Sequence, residues 1–511
     1  MLARIQTCAV QGIDGILVAV EVDHHPGEIR FVMVGLPDAA VKESQERVAS
    51  AIKNSGFRGL RGINVVNLAP ADIRKEGSAL DLPIALGLLA ASEQIDGKRF
   101  TGIAFAGELA LDGSVRPVAG ALCMAIAARD SGFRAIVLPA ENVVSAGVVP
   151  GIDVIPVASL NDAAAYVNGQ LDIAPHVTDV ATLMSGRSGH VPDLTDVKGQ
   201  AHVKRALTVA AAGGHNLLMI GPPGTGKSML ASRLPGILPD MTFEEALETT
   251  RVYSVSALNG ARQSLISTRP FRAPHHTATT VSIVGGGGGQ QPFPGEVSLA
   301  HNGVLFLDEL PEFNRAALEV LRQPLEERIV HIRRAMYSVT YPSAFMLVVA
   351  MNPCPCGCRT DPHRECRCSV GQIQRYMSRL SGPLLDRIDI HVDVPALSFG
   401  EIADMRPSGS TSAEVRAMVQ AARDRQRARY KGAFMSNAQI DSVSVRRWCA
   451  LNEGASSLLE TAIDKLGFSA RAYDKVLRVA RTLADLECMD DIGEHHVAEA
   501  IQYRNLDRAA L

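Results

Sequence analysis

The sequence predicts an α/β protein with a phosphate-loop core, an α+β unit before it and a helical region after it. The core is predicted because helices alternate with short apolar strands between residues 196 and 395, a pattern typical of a parallel sheet covered by helices. A glycine-rich loop follows the first of these strands and precedes a helical pattern, as a phosphate-binding loop requires. After a polar stretch at residues 406–411, helical spacing continues to the end of the chain.

Composition is typical of an ordinary globular protein. The 511 residues suggest about three domains. The 51 Lys and Arg residues nearly balance the 54 Asp and Glu residues, so any nucleic-acid binding must be local. No apolar run approaches the roughly 18 residues that span a bilayer, and the first residues lack a signal-type apolar core. We therefore expect a cytoplasmic protein without membrane contact.

We predict three domains and one linker. An α+β domain covers residues 1–172, a linker covers 173–195, an α/β core covers 196–400 and a helical region covers 412–511. In the first domain we predict strands at 16–22 and 29–34, helices at 41–54 and 82–91, and a hairpin at 109–115. In the core we predict strands at 217–220, 304–307 and 345–350, and a loop tip at the five-glycine run 285–289.

The glycine-rich loop predicts a nucleotide site. Its glycines let backbone N–H groups turn toward phosphates, and the following helix adds a partial positive charge. Lys227 is expected to reach the outer phosphates of ATP, and Ser228 to ligate Mg²⁺. The loop consists of Gly221, Pro222, Pro223, Gly224, Thr225, Gly226, Lys227 and Ser228.

Two carboxylates follow a later core strand. Asp308 at the strand end can hold the water shell of Mg²⁺, and Glu309 can orient or deprotonate the attacking water. Two acids after a strand are often only a solvated turn. In one chain with the phosphate loop, however, they favour a hydrolytic site.

These motifs, together with Asn352 at the end of a third strand, resemble those of an AAA+ ATPase. The whole chain is similar to the magnesium-chelatase-like YifB/ComM family, because residues 269–276 with the glycine run, 352–357 and 381–389 carry motifs of that family. The resemblance implies an AAA+ core with a helical lid, a hexameric ring and ATP sites between subunits.

The resemblance assigns three further residues to hydrolysis. Asn352 matches the sensor that positions the attacking water, Arg387 the arginine finger that reaches the neighbour's site, and Arg471 the sensor arginine of the lid. Both arginines have alternatives. Arg387 can instead pair with Asp386 or Asp389, and Arg471 can be a solvated residue at a helix start.

A long connection at residues 269–296 lies between the two nucleotide motifs, and long connections of this kind are usually functional or disordered. In the resembling family it is the insert in the second helix, whose loop points into the pore of the ring. Arg269, Arg272, His275 and His276 are then candidates to contact a DNA backbone, with the glycine run letting the loop move. The alternative is that the histidines cap a turn.

The first domain is similar to the Lon protease domain, and to that of the recombination protein RadA, in residues 107–120 and 135–142. Lon-type cleavage needs a serine nucleophile and a nearby lysine. The resemblance places Ala79 where the serine belongs, beside Ser78, and Leu122 where the lysine belongs. We therefore expect a scaffold for assembly or DNA contact, without peptidase activity.

Five cysteines between residues 354 and 368 predict a metal site in a reducing compartment and not a disulfide framework. The candidate Zn²⁺ ligands are Cys354, Cys356, Cys366 and Cys368, although their spacing is tighter than in common zinc ribbons. Cys358 is left out because the resemblance places an aromatic residue there. The alternative is an ordered loop of reduced, buried cysteines.

The resemblance implies that ATP hydrolysis drives movement on branched or single-stranded DNA. The implied role is branch migration during homologous integration of DNA taken up by natural transformation. Six basic residues between Arg416 and Lys431 on a predicted helix could add phosphate contacts, although most such runs are solvated faces. The alternative function is a chelatase-type ATPase that remodels a protein partner.

Overall fold

The computed structural model contains a seven-stranded and a five-stranded sheet, each packed against helices, and a group of C-terminal helices. It describes residues 1–511 except 73–74, 76, 186–191, 257–263, 288–291, 335–336, 399, 402–408, 433–434, 467 and 505–511. None of the helices in these described ranges combines the length and the apolar character needed to cross a membrane.

The N-terminal sheet is mixed. Its strands and a separate hairpin are β1 (Leu2–Gln11), β2 (Asp14–His25), β3 (Arg30–Val34), β4 (Ile63–Ala69), β5 (Ile103–Phe105), β6 (Glu108–Leu109), β7 (Val115–Arg116), β8 (Ala135–Pro139) and β9 (Asp153–Val157). The sheet order is β3-β4-β2-β1-β5-β8-β9, with antiparallel pairing only within β4-β2-β1. The predicted hairpin is confirmed as β6 and β7.

Helices cover both faces of this sheet. They are α1 (Ala39–Asn54), α2 (Asp81–Ala91), α3 (Ala121–Asp130), α4 (Val143–Ala146), α5 (Leu160–Asn168) and α6 (Val180–Ser185). Side chains alternate along β1, so Ile5 packs with the cluster around α1 and α2, while Cys8 packs with the cluster around α3. All of α2 is buried, which explains why its residues are apolar after Asp81, the first residue, whose carboxylate pairs with Arg47.

The core sheet is parallel, as predicted. Its strands are β10 (Leu217–Ile220), β11 (Phe271–Arg272), β14 (Val304–Leu307), β17 (Met346–Met351) and β18 (Ile390–Asp393), in the order β11-β14-β17-β10-β18. Every pairing in the sheet is parallel, so the carboxyl ends of the strands meet at one edge. β17 is entirely buried, as expected for a strand with covered faces.

Short helices connect these strands. They are α7 (Ala201–Gly213), α8 (Lys227–Ala231), α9 (Leu234–Ile237), α10 (Phe243–Ser254), α11 (Thr280–Val284), α12 (Glu296–Leu299), α13 (Arg315–Glu319), α14 (Arg322–Glu327), α15 (Val370–Met377) and α16 (Gly382–Leu385). α10 begins with a capping box in which Thr242 and Glu245 satisfy each other's backbone N–H groups.

Two hairpins extend the core, and neither was predicted. One pairs β12 (Gly285–Gly286) with β13 (Phe293–Pro294), and the other pairs β15 (Ile329–Arg334) with β16 (Tyr337–Pro342). Placing the whole glycine run at a loop tip was therefore wrong for Gly285 and Gly286, while Gly288 and Gly289 lie outside the described residues. A Cβ atom on Gly285 would lie 2.6 Å from the carbonyl oxygen of Phe293, so this pairing requires glycine.

The C-terminal region is helical in its described residues, as predicted. Its helices are α17 (Ser412–Tyr430), α18 (Ser442–Trp448), α19 (Glu453–Leu466), α20 (Ala470–Leu486) and α21 (Glu494–Gln502). α17 and α20 pack against α7, so one hydrophobic cluster joins the core sheet to these helices.

Candidate functional site

The loop Gly221–Ser228 joins β10 to α8 at the carboxyl edge of the core sheet. Gly224 and Gly226 have φ values of +82° and +85°, which L-residues with side chains rarely adopt. Lys227 is buried, and its Nζ donates to the carbonyl oxygens of Gly221 at 2.7 Å and Pro222 at 2.8 Å. Burial lowers the pKa of Lys227. The side chain of Lys227 therefore folds back onto the phosphate loop, where its charge would help to bind phosphates.

Three strand ends meet beside this loop. The Ser228 hydroxyl donates to Oδ2 of Asp308 at 2.5 Å, and Lys227 Nζ lies 3.3 Å from Oδ1 of Asn352. Glu309 follows Asp308 with its side chain 56% exposed. The structure therefore brings together the predicted loop, the two carboxylates and Asn352, since all follow neighbouring parallel strands.

The oxygen atoms and the loop backbone at this site fit Mg²⁺ and a nucleoside triphosphate. A serine hydroxyl beside an aspartate carboxylate offers the oxygen ligands that Mg²⁺ prefers. Apart from the glycines and the residues next to them in the chain, no described atom lies within 4 Å of the positions that Cβ atoms on Gly224 and Gly226 would take, so phosphates can approach the loop backbone closely.

Arg387 lies at the opposite edge of the core sheet, where the strands begin. It precedes β18, and its carbonyl oxygen accepts a hydrogen bond of 2.8 Å from Nδ2 of Asn216, which precedes β10. The four residues of β10 place this edge about 13 Å from the phosphate loop. The Arg387 guanidinium pairs with Glu326 and donates to the carbonyl oxygen of Pro383. It therefore has a carboxylate partner, but neither of the two that the sequence suggested.

Arg471 lies beside the Arg387 segment. It occupies the first turn of α20, and its Nη1 is 3.5 Å from Oδ2 of Asp386. The Arg471 side chain is 72% exposed, so its charge is available to another molecule. The two arginines thus form one group, separate from the site formed by the strand ends.

The insert arginines have internal partners. Arg269 is only 10% exposed, pairs with Glu245 at 2.9 Å and donates to two nearby backbone oxygens at 2.7 and 2.8 Å. Arg272 makes two hydrogen bonds of 2.7 and 2.8 Å to Glu296. In this structure both arginines therefore fix the base of the insert and do not present free charge for DNA.

The insert histidines lie near the residues predicted to act in hydrolysis. The rings of His275 and His276 are 4.0 Å apart, and Nδ1 of His276 is 3.6 Å from Oε2 of Glu309. His275 Nδ1 lies 2.9 Å from the hydroxyl of Thr277, a local turn contact of the kind the sequence left open. The contact between His276 and Glu309 was not predicted, because the residues lie 33 positions apart and only the sheet order brings them together.

Four thiols form a cluster in the loop after Asn352. The Sγ atoms of Cys354, Cys356, Cys366 and Cys368 all lie within 4.8 Å of one another, and three of their distances are 3.4, 3.7 and 3.7 Å. Tetrahedral Zn²⁺ with bonds of about 2.3 Å would separate sulfurs by about 3.8 Å, so the set fits the ion. The Cys358 thiol instead points to the carbonyl oxygen of Cys356.

Backbone hydrogen bonds prepare one of these thiols for metal binding. N–H groups of Cys358 and Arg367 lower the pKa of Cys356 to about 6, which favours the thiolate form that metals bind. The same loop touches the nucleotide loop, because a Cβ atom on Gly357 would lie 2.5 Å from Cδ of Pro223. The cluster and the phosphate loop are therefore packed together.

The Lon-like positions lie in the N-terminal domain. Ala79 and Leu122 are both buried, and Ser78 donates to Glu108. A buried leucine cannot accept a proton, so this arrangement favours the absence of peptidase activity. That absence stays a prediction.

The basic helix α17 is mostly engaged within the chain. Arg429 makes hydrogen bonds of 2.9 and 2.5 Å to Asp485, and Arg423 donates to the carbonyl oxygen of Ala211 at 3.0 Å. These contacts attach α17 to the other helices. Because these side chains are paired within the chain, α17 is less suited to bind phosphates along its whole length than the sequence suggested.

Comparison with known proteins covers the whole chain. Profiles described as "Magnesium chelatase, subunit ChlI", "Subunit ChlI of Mg-chelatase" and "Magnesium chelatase, subunit ChlI C-terminal" match residues 193–402, 20–142 and 409–504. The chain is 46% identical to the competence protein ComM of Haemophilus influenzae, over 99% of this chain and 98% of that protein. It is 44% identical to YifB of Escherichia coli, over the same shares. Over 30% of its length it is 30% identical to a Lon protease of a phytoplasma, of which it covers 21%.

Proposed function

The chain belongs to the ComM/YifB family of magnesium-chelatase-like AAA+ ATPases, and from this premise we propose that it moves along DNA and drives branch migration. The process would be homologous recombination of DNA taken up in natural transformation, in the cytoplasm. The similarity to a competence protein over nearly the full length of both chains carries this proposal.

Hydrolysis would use the residues at the carboxyl edge. Lys227 and the backbone N–H groups of residues 221–228 would bind the phosphates, and Ser228 and Asp308 would hold Mg²⁺, which neutralises charge on the phosphates. Glu309 would take the proton of the attacking water, and Asn352 would orient that water.

The position of Arg387 supports a ring. The arginine lies about one strand length from the phosphate loop of its own chain and at the opposite edge of the sheet, so it is suited to a neighbour's nucleotide. Arg471 lies beside it and would act on the same neighbouring site. Heterologous contacts of this kind can close into a ring, as the proposed hexamer requires.

The proposed domains follow the same boundaries as in the sequence. Residues 1–172 would serve as the Lon-like scaffold, 196–400 as the ATPase core and 412–511 as the lid. Residues 173–195 would serve as the linker, which contains the short helix α6 packed against the scaffold. Within the core, Cys354, Cys356, Cys366 and Cys368 would hold a structural Zn²⁺.

DNA contact is proposed for the insert and the neighbouring hairpin. The hydroxyl of Tyr341 on β16 donates to the carbonyl oxygen of Pro292 at 2.6 Å, so the two elements form one surface. His275 and His276 would add to the DNA contacts, whereas Arg269 and Arg272 would support the insert from its base.

The test measures ATPase activity with and without a four-way DNA junction, and junction dissociation in the same tube, at two salt concentrations. We expect the junction to stimulate hydrolysis and to dissociate only with ATP, with both effects weaker at higher salt. Glu309→Gln should lose both. Hydrolysis that ignores DNA would contradict the proposal and favour a protein partner, as the magnesium chelatase similarity would suggest.

A further inference from the structure

A cleft of about 810 Å³ lies at the amino edge of the core sheet, opposite the phosphate loop. Its lining includes Gly214, Gly303 and Phe345, which come just before β10, β14 and β17. The rest of the lining belongs to α10, the base of the hairpin β15–β16, and α17 with the segment that follows it. The volume is in the range of small-molecule sites, and neither Arg387 nor Arg471 lines the cleft. The cleft is therefore separate from the phosphate loop and from the arginine group.

Two arginines of the cleft carry a charge that no described carboxylate neutralises. The half-buried side chain of Arg328 has no ion pair or hydrogen bond with any residue that the structure describes. The guanidinium of Arg423 donates to the carbonyl oxygens of Ala211 at 3.0 Å and Met435 at 3.3 Å. Its Nε is buried and has no hydrogen-bond partner in the described ranges. Because a buried charge without a counter-charge is unfavourable, these side chains favour an anion as ligand.

The surroundings of both arginines weaken their hold on the proton. Burial lowers the pKa of Arg328 to about 10. Burial and the nearby charge of Arg269 lower the pKa of Arg423 to about 9. Both side chains are still charged at neutral pH, so an anion in the cleft would find two cations without competing carboxylates.

The acidic side chains of the cleft are engaged or exposed. Glu245 pairs with Arg269 at 2.9 Å, and Glu248 contacts His301 at 3.0 Å. The other two acids of the lining are exposed to solvent and are Glu244 and Glu327. The half-buried part of the cleft therefore has an excess of positive charge.

Apolar side chains form another part of the lining. The ring of Phe345 is half-buried, Leu238 and Met346 are buried beside it in the lining, and Met435 is 40% exposed. Aromatic rings and apolar surfaces accept the flat face of a nucleobase. The cleft thus combines cations suited to phosphates with an apolar part suited to a base.

We propose that the cleft is a second nucleotide site, which binds a nucleoside diphosphate or triphosphate. Arg328, Arg423 and Arg427 bind the phosphates, since the planar guanidinium matches phosphate oxygens in pairs, and Phe345 contacts the base. The ligand joins α17 to the core, because Arg423 and Arg427 belong to α17 and Arg328 follows α14. Binding here involves neither Lys227 nor DNA, so it goes beyond the proposed function and does not depend on it.

The experiment measures ADP binding to the full-length chain by isothermal titration calorimetry. We expect two binding events in the wild type, one weakened by Lys227→Ala and the other by Arg328→Ala or Arg427→Ala. Loss of one charged contact to phosphate should weaken the cleft event about tenfold to hundredfold. The matched control is Arg425→Ala, which removes a charge from α17 outside the cleft and should keep both events. Circular dichroism melting checks that each variant is folded.

The outcomes separate this proposal from the ATPase. A single event that Lys227→Ala weakens and both cleft variants leave unchanged would overturn the second site. Equal weakening in Arg425→Ala would also overturn it, because the effect would then be one of overall charge. A cleft event without any event sensitive to Lys227→Ala would support the cleft and contradict the proposed hydrolytic site.

Two further titrations identify the ligand class. Pyrophosphate, which has no base, should bind the cleft more weakly than ADP, and equal affinity would overturn the contact of Phe345 with a base. A short single-stranded DNA should not compete with ADP in Lys227→Ala. Competition that is lost when Arg328→Ala is added would assign the cleft to a DNA backbone and overturn the nucleotide site.

Discussion

Asp389 stabilises the edge of the sheet that carries Arg387. It is buried, accepts a hydrogen bond of 3.2 Å from the backbone N–H of Asn216, and lies 3.4 Å from Nζ of Lys475. His215 adds a contact of 3.5 Å. The carboxylate thus joins β10, β18 and α20, so the position of the proposed arginine finger depends on this buried charge.

The ionisation of Asp389 makes the free energy of unfolding depend on pH. Burial alone would raise the pKa of Asp389, but the charge of Lys475 and the contact with His215 outweigh burial and hold the pKa well below its usual range. In the unfolded chain an aspartate has a pKa of about 3.9, so the ionised Asp389 carboxylate stabilises the fold above about pH 4. The contribution is lost as the pH falls further toward the folded pKa.

We predict that Asp389→Asn lowers the free energy of unfolding at pH 7 by about 3–5 kcal/mol, because it leaves Lys475 buried without its counter-charge. Thermal unfolding of both proteins at pH 7 and pH 3 measures this, and the difference in Tm should narrow at pH 3. Asp424→Asn is the control, because its pair with Arg427 is exposed and contributes less than about 1 kcal/mol. An equal loss in both variants, or a gap that widens in acid, would contradict the argument.

Among the elements, the cysteine loop would link the proposed metal site to the proposed nucleotide site. It follows Asn352 directly and packs through Gly357 against Pro223 of the phosphate loop. A metal ion that closes the loop would therefore also restrict the phosphate loop. The chain contains its own control, since Cys358 belongs to the same loop but lies outside the four-thiol cluster.

We predict one zinc ion per chain in reduced protein, lost in Cys366→Ser and kept in Cys358→Ser. Loss of the metal should also raise the KM for ATP severalfold, because the support of Pro223 is weakened. Metal analysis by mass spectrometry and steady-state kinetics provide the two measurements. Reduced wild-type protein without zinc, or equal loss in both variants, would refute the site.

Strongly patterned elements were predictable, and contacts between distant segments were not. Three core strands, β10, β14 and β17, were predicted because each is an apolar run next to a motif, as with Leu217–Ile220 before the phosphate loop, whereas β11 and β18 were not predicted. The hairpin β15–β16 was missed although polar residues such as His331 and Arg333 alternate there with buried apolar ones, a pattern typical of a half-buried strand. The pairs between Arg387 and Glu326 and between His276 and Glu309 depend on sheet order and helix packing, which spacing along the chain does not encode.

In the whole molecule, the N-terminal domain contacts the parts of the core nearest the insert. The turn between β1 and β2 packs on the hairpin, because a Cβ atom on Gly12 would lie 2.2 Å from Cγ1 of Val339. Asp14 in the same turn pairs with Arg251 of α10 at 3.0 Å. The Lon-like domain is therefore placed to support the proposed DNA-contacting surface.

The proposed ring predicts complementation between two inactive variants. Lys227→Ala should not hydrolyse ATP because its phosphate loop is disabled, and Arg387→Ala should be inactive because it lacks the finger. In mixed rings, the intact Arg387 of a Lys227→Ala subunit completes the site of an Arg387→Ala neighbour. Random assembly of equal amounts of the two variants produces this pairing at about a quarter of the interfaces. The mixture should therefore regain up to about a quarter of wild-type activity. Fluorescence transfer between labelled subunits verifies mixing, and mixed rings without recovered activity would show that Arg387 does not act across the interface.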